Sequence, residues 1–253
     1  MRGWLIAAAA ALALGSCATP DRPASLETIA AALADAARPP ADRERDAARR
    51  SAEVLAFAGV GVGDRVGEYV PGGGYFTRLL AKVVRPEGQV YAYQPREFTA
   101  VAPKYLTDIQ AVAGDPAYGN IIVLNEATAA FAAPEPLDLV FTTQNYHDMY
   151  FRLAPPGTAE AFNRAAFRAL KPGGVYLITD HHARAGTGTA DANTLHRIDV
   201  EAVKREVQAA GFVLEAESDL LRNPDDPRTA SVFDPSIRGR TDQFMLKFRK
   251  PRR

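Results

Sequence analysis

The sequence predicts an α/β architecture: a doubly wound, mostly parallel sheet of seven strands, preceded by a helical extension. Three observations carry this reading. From Arg65 onward, short runs rich in β-branched and aromatic residues alternate with stretches of helical spacing. Glycine turns, Pro71-Gly72-Gly73-Gly74 and Lys171-Pro172-Gly173-Gly174, punctuate the alternation. Strands separated by helices of roughly ten or more residues must pair in parallel, because the helix is the crossover.

The chain opens with a segment that does not belong to the sheet. Arg2 supplies a short positive region, Leu5 to Leu14 is an uninterrupted apolar run, and Leu14-Gly15-Ser16-Cys17 follows. This is the pattern of an export signal over residues 1–16. The apolar run falls short of the ~20 residues that a bilayer-spanning helix needs. LGSC resembles the bacterial lipoprotein processing box, which implies a lipid anchor on Cys17; Ser16-Cys17-Ala18 also satisfies an ordinary small-x-small cleavage site. The expected location is outside the cytoplasm, as a periplasmic protein or a membrane-anchored lipoprotein. Cys17 is the only cysteine, so an internal disulfide and an all-cysteine zinc site are both excluded.

Residues 17–50 are expected to form the helical extension and residues 51–253 the α/β domain. Ser25 to Ala37 is alanine-rich and is stopped by Pro39-Pro40; a second helix is expected from Asp42 to Phe57, ending at Gly59. Arg65 to Val70 is the first strand, and Tyr75 to Val84 a helix with Phe76, Leu79, Leu80 and Val83 on one side. Gln89 to Gln94 is the second strand, Glu97 to Ala113 a helix broken at Pro103, and Asn120 to Leu124 the third strand. Leu137 to Thr142 is the fourth strand, Thr158 to Leu170 a helix, and Val175 to Thr179 the fifth strand. A helix over Val200 to Ala210 precedes strands at Phe212 to Glu217 and Gln243 to Phe248. The long Pro-, Asp- and Arg-rich connection between those last strands is expected to pack over a functional edge.

With 253 residues, 30 Lys plus Arg and 30 Asp plus Glu, the chain can bury one large core and has no net charge to attract polyphosphate, so nucleic acid is not an expected partner. The first glycine turn points to a small ligand instead. A strand ending near an acid, then glycines, then a helix leaves backbone N–H groups open to a nucleotide-like molecule. The dinucleotide fingerprint G-x-G-x-x-G is not met, because Thr77 stands where its third glycine should.

Glu68-Tyr69-Val70-Pro71-Gly72-Gly73-Gly74 resembles the first motif of the class I S-adenosylmethionine-dependent methyltransferases, which have a Rossmann-like fold. Leu137 to Met149 (LDLVFTTQNYHDM) is similar to that family's fourth-strand segment, and Lys171 to Ile178 (KPGGVYLI) to its turn before the fifth strand. The likeness covers about Ser51 to Asp180, and the final antiparallel pair also fits. Nearest in kind is a group of bacterial methyltransferases bearing export signals. The resemblance implies S-adenosylmethionine as cofactor, Glu68 meeting its amino-acid end, Gly72, Gly73 and Gly74 shaping the floor, Gln94 at the ribose and Glu126 at the adenine. Two positions depart from the pattern: Val70 replaces the usual first glycine, and Gln94 replaces the ribose-binding acid, with Glu97 three residues on as its substitute.

All four histidines lie between His147 and His196. Asn145, Tyr146, His147 and Asp148 follow the fourth strand, and Asp180, His181 and His182 the fifth, at the edge where open α/β sheets bind ligands. His147 with Asp148 is the expected acid/base pair, with Asn145 beside it. The histidine spacing matches no zinc signature, and adjacent His181 and His182 should point in opposite directions, so no metal is assigned. Tyr75, Tyr146 and Tyr150 are candidates for the pocket wall or for the core. Arg43, Arg45, Arg49 and Arg50 read as a solvated face, or as a helix lying across the pocket with one arginine meeting an anion. The leading expectation is a methyltransferase acting on a small-molecule or cell-envelope acceptor. The alternatives are an exported, non-catalytic binding protein on the same fold, and a metal-dependent hydrolase or lyase using the histidine cluster.

Overall fold

A computed structural model describes residues 23–252; the export-signal segment and Cys17 lie outside the described residues. Strands β1 (Arg65–Tyr69), β2 (Gln89–Tyr93), β3 (Ile121–Leu124), β4 (Leu137–Thr143), β5 (Leu170–His181), β6 (Val213–Ser218) and β7 (Gln243–Arg249) form one sheet in the order β3-β2-β1-β4-β5-β7-β6. Pairing is parallel from β3 through β5, while β7 runs antiparallel to both β5 and β6, between which it is inserted. Strand order reverses at β1, so the carboxyl ends of β1 and β4 open a crevice there.

Helices α1 (Leu26–Ala34), α2 (Pro40–Arg43), α3 (Asp46–Arg49), α4 (Ser51–Ala58), α5 (Tyr75–Val83), α6 (Arg96–Val101), α7 (Pro103–Gly114), α8 (Thr158–Ala169), α9 (Ala192–Leu195) and α10 (Val200–Ala209) complete the chain. The period-2 alternation of β5 divides them between two layers. Val175 and Leu177 join a core with Leu55, Leu79 and Ile109, whereas Tyr176 and Ile178 join another with Phe162, Val203 and Phe248. Ile29 and Ala32 of α1 are buried in the first of these, so the N-terminal helices share the core of the sheet.

Two expectations from the sequence are corrected. The helix over Asp42 to Phe57 is three pieces, interrupted by a turn at Glu44-Arg45 and again at Arg50, which takes a left-handed conformation (φ 48°) between α3 and α4. The break lets Val54 and Leu55 enter the core while α3 swings over the sheet edge. Asp46 anchors that swing: buried Arg38 grips its carboxylate with two bonds of 2.6 and 2.8 Å, and the Tyr75 hydroxyl donates to it at 2.5 Å. The fifth strand starts at Leu170 rather than after the Lys171-Pro172-Gly173-Gly174 turn. Backbone bonds from Gly173 to Lys250 and from Lys250 to Gly174 carry that turn along with the sheet.

Candidate functional site

The glycine turn after β1 is built under tension. Val70 has φ 54°, a region that costs a β-branched residue about 1–2 kcal/mol. It is held there by its own N–H donating to the Tyr93 carbonyl and by the Asn145 amide donating to its carbonyl at 3.2 Å. Gly72 (φ 55°) and Gly73 follow, and a Cβ built on either meets nothing within 4 Å. Both border a cavity of about 910 Å³ at the carboxyl edge of the sheet. The helix α3 side supplies Arg45 and Arg49, the β6–β7 connection supplies Val232, Phe233, Arg238 and Thr241, and α6 with its following turn supplies Phe98 and Ala102. The connection thus packs over the carboxyl edge of the sheet, and the second-helix arginines that line the cavity match the reading of a segment lying across the pocket.

Four of the residues assigned to the cofactor do not border this cavity. Gly74 (φ 80°) caps α5, and its α-carbon faces Val112 and Ile109 of α7, so it packs helix against helix. Glu68 is buried beneath the turn with its carboxyl accepting from the Thr77 hydroxyl at 2.5 Å. Gln94 has no exposed surface, and both atoms of its amide are unpartnered. Glu126 is turned outward in an exposed ion pair with Arg96 at 2.6 Å. Glu97 does not stand in for Gln94, because its carboxylate caps the Thr128 N–H at 3.1 and 3.2 Å.

Burial raises the Glu68 carboxyl from an ordinary 4.5 to about 7, outweighing the Thr77 bond and the nearby Arg49 and Arg78 charges. The folded state therefore holds this proton more firmly than the unfolded chain. The associated stability is complete below about pH 4.5 and is lost as pH rises through about 7, on the order of 3 kcal/mol in all. Glu68→Gln is expected to flatten that slope, as read by urea unfolding at pH 5 and pH 8; an unchanged slope would assign it to other groups.

The second wall carries the histidines. His147, buried at the end of β4, receives Asp180 from β5 on two sides: its backbone N–H donates to Oδ2 at 2.7 Å and its Nδ1 lies 2.7 Å from Oδ1. The other ring nitrogen, Nε2, stands 3.3 Å from Asp148 Oδ1 and 3.2 Å from His196 Nδ1. Burial lowers the pKa of His147, but Asp180 and Asp148 outweigh it and hold the value up at about 10; Asp148 is correspondingly lowered to about 2, its burial overcome by His147. The ring thus has a carboxylate at each nitrogen, and Asp180, which the sequence did not pair with it, makes the shorter contact. Asn145 faces the cavity with its amide nitrogen committed to the Val70 and Thr143 carbonyls, tying β4 to the glycine turn.

His181 and His182 point apart, as their alternation on an extended segment requires. His181 lines the cavity beside Thr241 Oγ1 at 2.7 Å, and burial pushes its pKa down to about 3. His182 packs edge-on against Phe244, with ring centroids 5.1 Å apart. Tyr75 borders the cavity, whereas Tyr146 is buried in the core, its hydroxyl bonded to Glu206 and Asn163.

The residue that sequence reasoning missed is His196. It follows α9 in a left-handed conformation (φ 54°), its ring edge-on to both His147 and Phe233. No spacing signal links it to His147, 49 residues earlier. Arg49 is the other notable group. Its guanidinium sits 4.6 Å from the Tyr75 ring centroid and donates to Gln144 at 3.2 Å, and among the described residues it forms no ion pair. Burial lowers its pKa to about 10, which leaves it charged at neutral pH.

No family model matches the sequence, and no curated protein matches it. Solved structures do match. A SAM-dependent methyltransferase from Aquifex aeolicus is similar over 89% of this chain and 98% of its own, with a TM-score of 0.57 at 16% identity. The cyclase SpnF is similar over 81% of this chain and 82% of its own, with a TM-score of 0.58 at 17% identity. The glycopeptide N-methyltransferase MtfA, crystallised with S-adenosyl-L-methionine, is similar over 79% and 87%, with a TM-score of 0.54 at 16% identity. The shared property is the fold, a seven-stranded, mostly parallel α/β sheet of the Rossmann-like methyltransferase type. Proteins named for methyl transfer and for cyclisation both carry it, so function has to be argued from the site.

Proposed function

We propose that this chain is an S-adenosylmethionine-dependent methyltransferase acting on a small-molecule or cell-envelope acceptor. The observation that carries the reading is the bare main chain at Gly72 and Gly73, bordering a cavity large enough for a cofactor and an acceptor together. The residues present fit the amino-acid half of the cofactor. Gly72 and Gly73 would offer main chain free of side-chain obstruction, and Arg49, charged and without a carboxylate partner among the described residues, would meet an anionic end. Gln94, the family-position counterpart for the ribose, has an unpartnered amide with one acceptor and one donor group, but it is buried away from the cavity and is not assigned to the cofactor.

S-adenosylmethionine, when bound, supplies a methyl group already activated on a sulfonium. The chain's own work is then positioning and exclusion of water. Asn145 sets the distance between the glycine turn and the end of β4, and Asp180 fixes the His147 ring. Phe233 of the β6–β7 connection, packed on His196, covers the acceptor side. An exported location, resting on Arg2, the apolar run and LGSC, belongs to the same proposal and makes an envelope component the natural acceptor. Calorimetric titration with S-adenosylmethionine and with its demethylated product is expected to show one site per chain. Failure of both to bind at millimolar concentration would remove the methyltransferase reading.

A further inference from the structure

We infer that His147, Asp148 and His196 form a binding site for one divalent transition-metal ion on the acceptor side of the cavity. Three ligand-type atoms, His147 Nε2, Asp148 Oδ1 and His196 Nδ1, make a triangle with sides of 3.2, 3.3 and 3.8 Å. An ion bound tetrahedrally through bonds of about 2.0–2.1 Å sets its ligand atoms about 3.3–3.4 Å apart, so the three groups are already spaced as one face of such a shell. Two imidazoles and one carboxylate suit zinc, iron, cobalt or nickel rather than calcium or magnesium.

The surroundings are arranged as an outer shell would be. Asp180 occupies Nδ1 of His147 at 2.7 Å, which turns Nε2 toward the other two ligands, and Asp180 is itself held by the backbone N–H groups of His147 and His181. His196 reaches the triangle through a left-handed backbone that a histidine seldom adopts, a local cost borne at the position where its ring completes the set. All three ligand residues line the 910 Å³ cavity, so the remaining coordination positions face open space. The acceptor class this favours carries an oxygen or nitrogen donor, such as a hydroxyl, able to bind the ion directly and to lose its proton more easily there.

The test uses Co2+ as a spectroscopic probe, with equilibrium dialysis for stoichiometry. The unaltered chain is expected to bind one Co2+, to develop visible ligand-field absorption, and to lose it to Zn2+. Asp148→Asn and His196→Asn should each weaken binding by about 100-fold or more. Asparagine is chosen at 196 because it tolerates the left-handed backbone, and His196→Gln serves if that variant does not melt cooperatively. Asp180→Asn, which removes a positioning residue and no ligand, should weaken binding by about tenfold and shift the absorption band. Absence of saturable one-to-one binding would overturn the inference. So would binding of equal strength in the Asp148 and His196 variants, which would put the ion elsewhere. Binding of the demethylated cofactor product, measured separately, decides the methyltransferase reading without bearing on this one.

Discussion

Gly73→Val is expected to weaken binding of S-adenosylmethionine by at least about 100-fold, equivalent to about 2.7 kcal/mol, with the fold unchanged. The argument rests on where the new side chain would go. A Cβ at Gly73 meets no protein atom within 4 Å, and its backbone is not in the left-handed region, so the folded chain accepts valine with little strain. Gly73 lines the floor of the cavity, and three carbons added there are expected to take volume that a cofactor needs. Gly74→Val is the contrasting variant. Its Cβ would stand 3.0 Å from Val112 and 3.3 Å from Ile109 with φ at 80°, so its main effect should be on stability. Calorimetry for binding and thermal melting for the fold separate the two. If Gly73→Val binds the cofactor normally, the ligand does not rest on this turn.

The largest stability loss should follow Arg197→Met. Arg197 is fully buried, pairs with Asp226 at 2.8 and 3.1 Å, and donates to the carbonyls of His182 and Ala230. Removing it leaves the Asp226 carboxylate buried with backbone N–H donors and no counter-charge. That should cost about 3–5 kcal/mol and lower Tm on the order of 10 °C. Combining Arg197→Met with Asp226→Leu should recover much of the loss, because an apolar pair spares the stranded charge. A single variant within about 1 kcal/mol of the parent in urea unfolding would show that the pair contributes little. The pair joins the loop before α10 to the β6–β7 connection, so cavity binding should weaken alongside stability.

The sheet was legible in the sequence because its strands carry strong local patterns. Leu137 to Thr143 and Val175 to Ile178 are apolar on both faces, as strands covered by helices must be, and each sits next to a glycine or proline turn. Side-chain direction was not legible at β1, where Val66 to Tyr69 are all buried and alternation marks no face, so Glu68 could be assigned to the ligand when it faces Thr77. The break at Arg50 was hidden for a different reason: arginine gives no local sign of a left-handed backbone that tertiary contacts impose. His147, Asp148 and Asp180 were visible because strand ends collect at one edge. His196 joins them through a loop whose path no periodicity describes. Glu126 shows the limit of reasoning by likeness, since an acid in the right register found an arginine at the surface instead.

The place of β7 has a consequence for how the molecule is made. The segment Gln243–Arg249 is late in the chain yet stitches β5 to β6, and it supplies every sheet hydrogen bond that β6 has. A nascent chain that has not yet reached Gln243 leaves β6 without a strand partner, even though α10 can already pack on α8, and offers the bare backbone of β5 to any extended peptide nearby. Shielding of that open β5 edge by a chaperone during the interval should therefore raise the yield of folded chain.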